Sequence, residues 1–178
     1  MNKSGPFWKI IAASRRALIV GQPNGNMARQ ARALRDALSR LAPTDVVDFQ
    51  ETLIALHHDA YSWDLWGAAH VIAQGCSDDN FFDFRSWLIS SGRDAYHDAL
   101  ADPDSLVGPA SDPSVEDVFF EGFLEIPASA YIALTGKPIP EASSRHPTSP
   151  KGKRWKDEAE LAVRYPKLWA RFRTNQPT

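Results

Sequence analysis

The side chains best suited to chemistry lie close together in the middle of the chain. Cys76, Asp78, Asp79 and Arg85 fall within one stretch of ten residues. A thiolate can act as a nucleophile, a carboxylate can act as a general base, and a guanidinium can hold an anionic group with its fork of N–H donors. The stretch therefore predicts a site for a polar or anionic ligand, with a small catalytic site as the alternative.

Arg85 is predicted to point into the protein core from a helix over residues 79–90. With about 100° of rotation per residue, Phe81 and Phe84 fall on one broad apolar face. Arg85 and Asp78 fall in the same sector. Because a guanidinium keeps its charge, a buried one is expected to need a carboxylate partner. The structural interpretation is a buried Arg85–Asp78 pair that fixes how helices dock. The functional interpretation is an arginine that binds an anion in a cleft.

Other carboxylates could take the place of Asp78, which lies about 10 Å from Arg85 along the helix axis. The candidates are Asp64, Asp102 and Asp104. Asp102 also precedes Pro103, a pair typical of a helix cap followed by the first helical residue. Residues 102–104 resemble part of a calcium-binding loop but lack the later glycine and glutamate. We therefore predict neither a metal nor a cofactor.

The single cysteine, Cys76, follows a glycine at the predicted start of this helix. That position can lower the pKa of a thiol, and the alternative is that Cys76 is a small apolar group. One cysteine excludes an intramolecular disulfide and a thiolate zinc cluster. Trp8 and Trp66 are predicted to be walls of the pocket. The predicted ligand-binding residues are Trp8, Trp66, Cys76, Asp78, Asp79, Arg85, Asp102 and Asp104.

Helices are the elements that must position these side chains. Apolar residues recur at spacings of three and four, and no stretch alternates convincingly with the period of two that is typical of strands. We predict helices over residues 6–19, 27–41, 46–60, 63–74, 79–90, 93–101, 103–107, 113–125, 127–136 and 155–172, the last broken at Pro166. The predicted fold is an all-α, compact, bundle-like single domain.

Polar residues and proline set the predicted helix ends. Asn26 is predicted to cap the second helix, and Pro43 is predicted to end it. Ser77 or Asp78 is predicted to cap the fifth helix, which carries Arg85.

The distribution of proline divides the chain into three parts. Ten of the 13 prolines follow residue 100, and residues 137–153 hold four prolines without helical periodicity. Residues 1–136 are predicted to form the helical domain, and residues 137–153 a Pro/Ser-rich loop or tether. Residues 154–178 are predicted to form a basic, aromatic segment that docks on the domain, because its large aromatic side chains favour burial.

The net charge of −2 hides an uneven distribution. Residues 1–41 carry a net charge of +7, residues 42–150 carry −14, and residues 151–178 carry +5. One interpretation is that the basic ends fold against the acidic middle. The other is a basic face that binds an anionic partner such as nucleic acid.

The composition is that of an ordinary globular protein, with 43% hydrophobic and 24% charged residues. No run of roughly 18 apolar residues could span a membrane, and the N-terminus lacks the apolar core of a signal peptide. We predict a cytoplasmic protein that does not associate with a membrane.

Short motifs follow one another through the middle of the chain. They are LWGAA (65–69), GCSDDNF (75–81), FRSWLI (84–89) and DPDSL (102–106), with FW at 7–8 near the start. This pattern resembles the hallmark of an uncharacterised bacterial family, a domain of unknown function common in actinobacteria. The resemblance covers residues 6–136 and implies a helical, bacterial, cytoplasmic protein, but it implies no activity.

These observations support three hypotheses about function. The first is a small-molecule- or protein-binding module with a pocket around residues 76–85 and 102–104. The second is a small enzyme in which Asp78 or Asp79 is the base and Arg85 holds an anionic substrate group. The third is a nucleic-acid-associated protein that uses the two basic ends.

Overall fold

The computed structural model describes residues 4–174, which form helices and connecting loops without a β-sheet. The α-helices are α1 (Ser4–Arg15), α2 (Asn26–Leu38), α3 (Pro43–Asp59), α4 (Trp63–Ala73), α5 (Asp78–Ser90), α6 (Arg93–Ala101), α7 (Val107–Ala110), α8 (Ile126–Thr135), α9 (Glu158–Arg164) and α10 (Pro166–Phe172). Two 3-10 turns, Pro103–Leu106 and Phe123–Glu125, directly precede α7 and α8. The predicted all-α fold is confirmed. None of these helices is long and apolar enough to cross a membrane.

One hydrophobic core joins the helices. α1 packs on α2, both α2 and α3 pack on α8, and α10 packs on α4. α5 contributes Phe81, Phe84, Leu88 and Ile89, all of which are fully buried. Helices this short are marginal in water by themselves, so burial of their apolar faces supplies most of their stability.

Polar side chains and proline set several helix ends, and Pro43 does so differently from the prediction. Ser77 caps α5 by accepting a hydrogen bond from the N–H of Asn80 at 3.2 Å, as predicted. Pro43 does not end α2, which already stops at Leu38, but is the first residue of α3. Proline suits a first helical position because no intrahelical acceptor exists there for the N–H that it lacks.

The predicted helix over residues 113–125 is wrong, because residues 113–122 form turns, bends and irregular loop. Asp112 accepts a hydrogen bond from the N–H of Ser114 at 2.8 Å. Asp117 accepts in the same way from the N–H groups of the two residues that follow it. Aspartate side chains that bind nearby backbone N–H groups favour turns over a helix. The Asp-Pro pair at residues 112–113 thus begins a turn and not a helix.

The chain after α8 returns along α3 and then docks on α4. The N–H of Lys151 donates to the carbonyl of Tyr61 at 2.9 Å, in the connection between α3 and α4. Tyr165, between α9 and α10, donates its hydroxyl to the carbonyl of Asp64 at 2.8 Å. A Cβ atom on Gly67 would lie 2.8 Å from that hydroxyl, so this close approach requires glycine.

The basic C-terminal part contacts the acidic middle, in agreement with one interpretation of the charge distribution. Arg164 pairs with Asp64 at 3.0 Å and also with Glu160, while Lys151 pairs with Asp59 at 3.3 Å. Exposed ion pairs of this kind contribute about 0–1 kcal/mol each. Apolar burial therefore holds the segment in place, and the ion pairs help to orient it.

Candidate functional site

Arg85 lies in the core between α3 and α5, and only 2% of it is exposed. Its Nη1 donates to the carbonyl of His57 at 3.0 Å, and its Nε donates to the carbonyl of Phe81 at 3.3 Å. The guanidinium carbon lies 4.6 Å from the centre of the Tyr61 ring. Burial lowers the pKa of Arg85 to about 10, so the side chain remains a cation at neutral pH.

The predicted buried Arg85–Asp78 pair is wrong, although the inward direction of Arg85 is confirmed. Asp78 is exposed at the first position of α5. No ion pair within residues 4–174 includes Arg85, and the alternative partner Asp64 pairs with Arg164. The last carbonyls of a helix lack intrahelical partners and carry partial negative charge. The end of α3 therefore satisfies the guanidinium where a carboxylate was expected.

His57 lies beside Arg85 and is 1% exposed. Burial, and then the positive charge of Arg85, lower the pKa of His57 to about 3, so the ring is neutral. Its Nε2 lies 2.9 Å from the carbonyl of Phe82. Because a carbonyl only accepts hydrogen bonds, Nε2 carries the proton and donates it.

Cys76 and Trp66 are joined across the connection between α4 and α5. The indole N–H of Trp66 donates to the carbonyl of Cys76 at 2.9 Å. Burial, and then the charge of Asp78, raise the pKa of the Cys76 thiol to about 12. The thiol is thus protonated at neutral pH, a state that does not suit a nucleophile.

Stacked aromatic rings fill the space beside Cys76. The Trp66 ring lies parallel to that of Trp63, with centroids 4.9 Å apart, and parallel to that of Phe81 at 4.8 Å. Trp66 therefore packs inside a continuous stack that links α4 to α5. Asp78 and Asp79 lie outside this stack, in solvent.

Asp104 and Asp102 act at helix ends. Asp104, only 4% exposed, accepts hydrogen bonds from the N–H groups of Lys167 at 3.1 Å and Leu168 at 2.9 Å. These N–H groups belong to the first turn of α10, so Asp104 joins this helix to the rest of the core. Asp102 caps the 3-10 turn that follows it by accepting from the N–H of Asp104 at 3.1 Å.

Trp8 lies in α1 and packs against Tyr96 of α6, with ring centroids 5.5 Å apart. The structure thus brings Trp66, Cys76 and Arg85 around one aromatic cluster, while Trp8 and Asp104 serve other helix contacts. A ligand-binding role for the eight residues stays a prediction. No set of three or more His, Cys, Asp or Glu side chains in residues 4–174 is arranged to hold a metal ion.

A cleft of about 280 Å³ opens at the C-terminal end of α5. We call it the Arg15 cleft. Its polar lining includes Arg15, Asn26, Gln30, Ser90, Asp112 and Glu116. Its apolar lining includes Leu18, Met27, Trp87, Val115 and Phe120. The walls come from α1, α2, α5 and the turns before α8, so the cleft exists only in the folded protein.

Arg15, the last residue of α1, is partly buried in this cleft. Its Nη1 donates to the carbonyl of Ser90 at 3.1 Å. No ion pair among the residues that the structure describes includes Arg15, and its other guanidinium nitrogens have no hydrogen-bond partner there. Burial lowers the pKa of Arg15, and the nearby charge of Asp112 partly offsets this effect. The side chain thus holds unused donors next to open space.

Gln30 forms the adjoining wall and is 3% exposed. Its Nε2 donates to the carbonyl of Ser90 at 2.9 Å and to the hydroxyl of Ser14 at 3.3 Å. Both amide hydrogens are therefore used. The amide oxygen has no hydrogen-bond partner within residues 4–174, so it remains an available acceptor.

Asn26 and Glu116 fasten the turns to the start of α2. The predicted capping role of Asn26 is wrong, because its Nδ2 instead donates to the carbonyls of Ile19 at 3.0 Å and Ser114 at 2.8 Å. The carboxylate of Glu116 accepts from the N–H groups of Gly25, just before α2, and of Met27, its second residue, each at 2.9 Å. These hydrogen bonds lower the pKa of Glu116 and keep it charged. The rim of the cleft is therefore held rigidly.

The sequence patterns did not lead to a prediction of the Arg15 cleft, although helical periodicity marks two of its residues. Arg15 follows Phe7 and Ile11 at steps of four, and Gln30 precedes Leu34 at the same step. Both polar residues thus continue an apolar helix stripe, where a buried polar group needs a partner. This periodicity does not indicate that the two stripes meet.

Residues 1–133 match the profile of a family described as a protein of unknown function, DUF4240. The chain belongs to the DUF4240 family. The DUF4240 match includes every residue that lines the Arg15 cleft, whereas α9 and α10 lie outside it. The resemblance to a domain of unknown function is thereby confirmed. No curated protein and no solved structure matches the chain.

Proposed function

We propose that this protein is a small-molecule-binding module whose ligand occupies the Arg15 cleft. The observation that carries the proposal is the partly buried guanidinium of Arg15, which lines the cleft and, within residues 4–174, has unused donors and no ion-pair partner. Ligand sites are typically concave and mostly apolar, with a few polar groups that fix the orientation of the ligand. The Arg15 cleft is concave and more polar than this average, since Arg15, Gln30 and carboxylates line it together with Trp87 and Phe120.

The size of the cleft supports a small ligand over a protein segment. A volume of about 280 Å³ lies at the lower end of the range of roughly 300–1,000 Å³ that is typical of small-molecule sites. We propose that this binding takes place in a bacterial cytoplasm, in keeping with the family resemblance.

Residues 76–85 have a supporting place in this proposal. Arg85 ties α5 to the end of α3, and Trp66 ties α5 to α4 through Cys76. α5 then carries Trp87 and Ser90 to the cleft. An enzyme that held a substrate anion on Arg85 would need that guanidinium to be accessible, and 2% exposure argues against this alternative.

A thermal-shift screen of small carboxylates, amines, amino acids, sugars and nucleobases tests the proposed function. We expect at least one class to raise the melting temperature of the wild-type protein, since a ligand at about 100 times its Kd adds about 2.7 kcal/mol. The shift should persist in Arg16→Met, which removes an exposed charge outside the cleft, and disappear in Arg15→Met. Equal shifts in both variants, or no shift with any class, would overturn the proposal.

A further inference from the structure

We infer that the ligand of the Arg15 cleft is a single zwitterionic molecule of the α-amino-acid class with an apolar side chain. This inference rests on the proposed function and adds the chemistry of the ligand. It is based on three features of the same cleft: a cation with free donors, acceptors that suit an ammonium group, and an apolar wall.

Arg15 supplies the site for a carboxylate. Its Nη1 donates to the carbonyl of Ser90 at 3.1 Å, which ties the guanidinium to the end of α5. The remaining N–H groups form a fork, and a carboxylate can accept two parallel hydrogen bonds from such a fork. Partial burial strengthens this contact because nearby solvent screens it less.

Gln30 and Asp112 supply acceptors for an ammonium group. The amide oxygen of Gln30 has no hydrogen-bond partner in the described part of the chain, although the residue is only 3% exposed. One oxygen of Asp112 accepts from the N–H and hydroxyl of Ser114, and the other has no partner among the residues that the structure describes. An ammonium group donates three hydrogen bonds and accepts none, so it matches these acceptors.

The charges around the cleft favour a zwitterion over a simple anion. Three carboxylates line it with Arg15, namely Asp112, Glu116 and Asp117. Each Glu116 oxygen accepts from a backbone N–H at the start of α2, so this charge is held in place at the rim of the cleft. This excess of negative charge would repel a phosphate or a dicarboxylate. A molecule with one charge of each sign has no net charge and is not repelled in this way.

The remaining wall suits a compact apolar side chain. Leu18, Met27 and Trp87 lie on it together with Val115 and Phe120. A volume of about 280 Å³ has room for one amino acid. Leucine, methionine and phenylalanine are therefore the probes that best match the size and polarity of the cleft.

Isothermal titration calorimetry of the full chain with these three amino acids tests the inference. The best of them is then compared with the same molecule without its amino group and with the same molecule without its carboxylate. We expect the amino acid to bind at least about tenfold more tightly than either analogue. An analogue that binds as tightly as the amino acid, or no saturable binding of any of the three at millimolar concentration, would overturn the inference.

Two variants with matched controls test which residue recognises which charge. Arg15→Met should weaken binding of the amino acid by about tenfold or more, while Arg16→Met should not. Asp112→Asn should weaken binding of the amino acid but not of the analogue without an amino group, and Asp36→Asn, on an exposed part of α2, should change neither. If Asp112→Asn weakened binding of the amino acid and of the analogue equally, the assignment of Asp112 to the ammonium group would be contradicted.

The failures of the two proposals are distinguishable. If another class of molecule gives a shift that depends on Arg15 while amino acids give none, the zwitterion inference is wrong and the proposed function stands. If no class gives a shift that depends on Arg15, both are wrong.

Discussion

The guanidinium Nη1 of Arg85 donates a hydrogen bond to the backbone carbonyl of His57 at 3.0 Å. This bond joins the middle of α5 to the last turn of α3. The carbonyls there receive no hydrogen bond from an N–H of their own helix. The negative end of the helix dipole also favours a cation at that point. A permanent charge is thus accommodated in the core without an ion-pair partner in the part of the chain that the structure describes.

Replacement of Arg85 by methionine should destabilise the fold. The carbonyl of His57 would remain buried without its donor, which costs about 1–3 kcal/mol. Urea denaturation followed by circular dichroism measures the free energy of unfolding. Arg93→Met, at an exposed position of α6, is the matched control and should change it by less than about 0.5 kcal/mol. An Arg85→Met protein as stable as the control would show that the bond contributes nothing.

The stability of the fold should decrease in acid because His57 cannot be protonated in place. Its pKa is about 3 in the folded protein, against an ordinary value of 6.5. As the pH falls below about 6.5, the unfolded chain binds a proton that the folded protein does not. The free energy of unfolding should therefore fall with a slope approaching ~1.4 kcal/mol per pH unit from this group, down to a pH of about 3.

Urea denaturation at several pH values measures how the free energy of unfolding depends on pH in the wild type and in His57→Gln. Glutamine keeps a donor for the carbonyl of Phe82 but does not titrate, so the variant should lose less stability in acid. His97→Gln, at an exposed position, should keep the wild-type slope. His58 and His146 also lie near His57, so they remain unchanged in all three proteins. Parallel slopes in all three would contradict the assignment.

Asp104→Asn should loosen the attachment of α10. Asparagine offers one acceptor oxygen where aspartate offers two, and it removes a negative charge from the start of a helix. We expect a loss of about 1 kcal/mol in the free energy of unfolding. Hydrogen exchange should accelerate over residues 161–172 and not over α2, and Asp98→Asn, on an exposed part of α6, should leave both unchanged.

Cys76 should react slowly with thiol reagents. Its pKa of about 12, against a reference value of 9.0, makes the thiolate about a thousandfold scarcer near neutral pH. Labelling with a chromogenic disulfide at mildly alkaline pH measures the rate. The same chain in urea is the control, and it should react much faster. A folded rate within about tenfold of the unfolded rate would mean that the thiol is not held in its protonated form.

Local sequence patterns correctly predict the all-α fold, the cap at Ser77 and the inward direction of Arg85. These are local properties, because helical periodicity assigns each residue to a face and a capping side chain acts within three residues. The Asp-Pro pair at residues 112–113 failed as a helix start because nearby aspartates bind their own backbone in turns. A residue that favours a helix start can also favour a turn, and the packing of the folded chain selects between the two.

The Arg15 cleft and the partner of Arg85 depend on how distant parts of the chain pack together. Arg15, Gln30 and Asp112 are far apart in the sequence, and each becomes part of the cleft because α1, α2 and the later turns pack at the end of α5. The acceptor for Arg85 is a backbone carbonyl, a group that every residue carries and that no sequence pattern marks. Periodicity specifies which face of a helix is buried, but the distances between helices follow from how their side chains interlock.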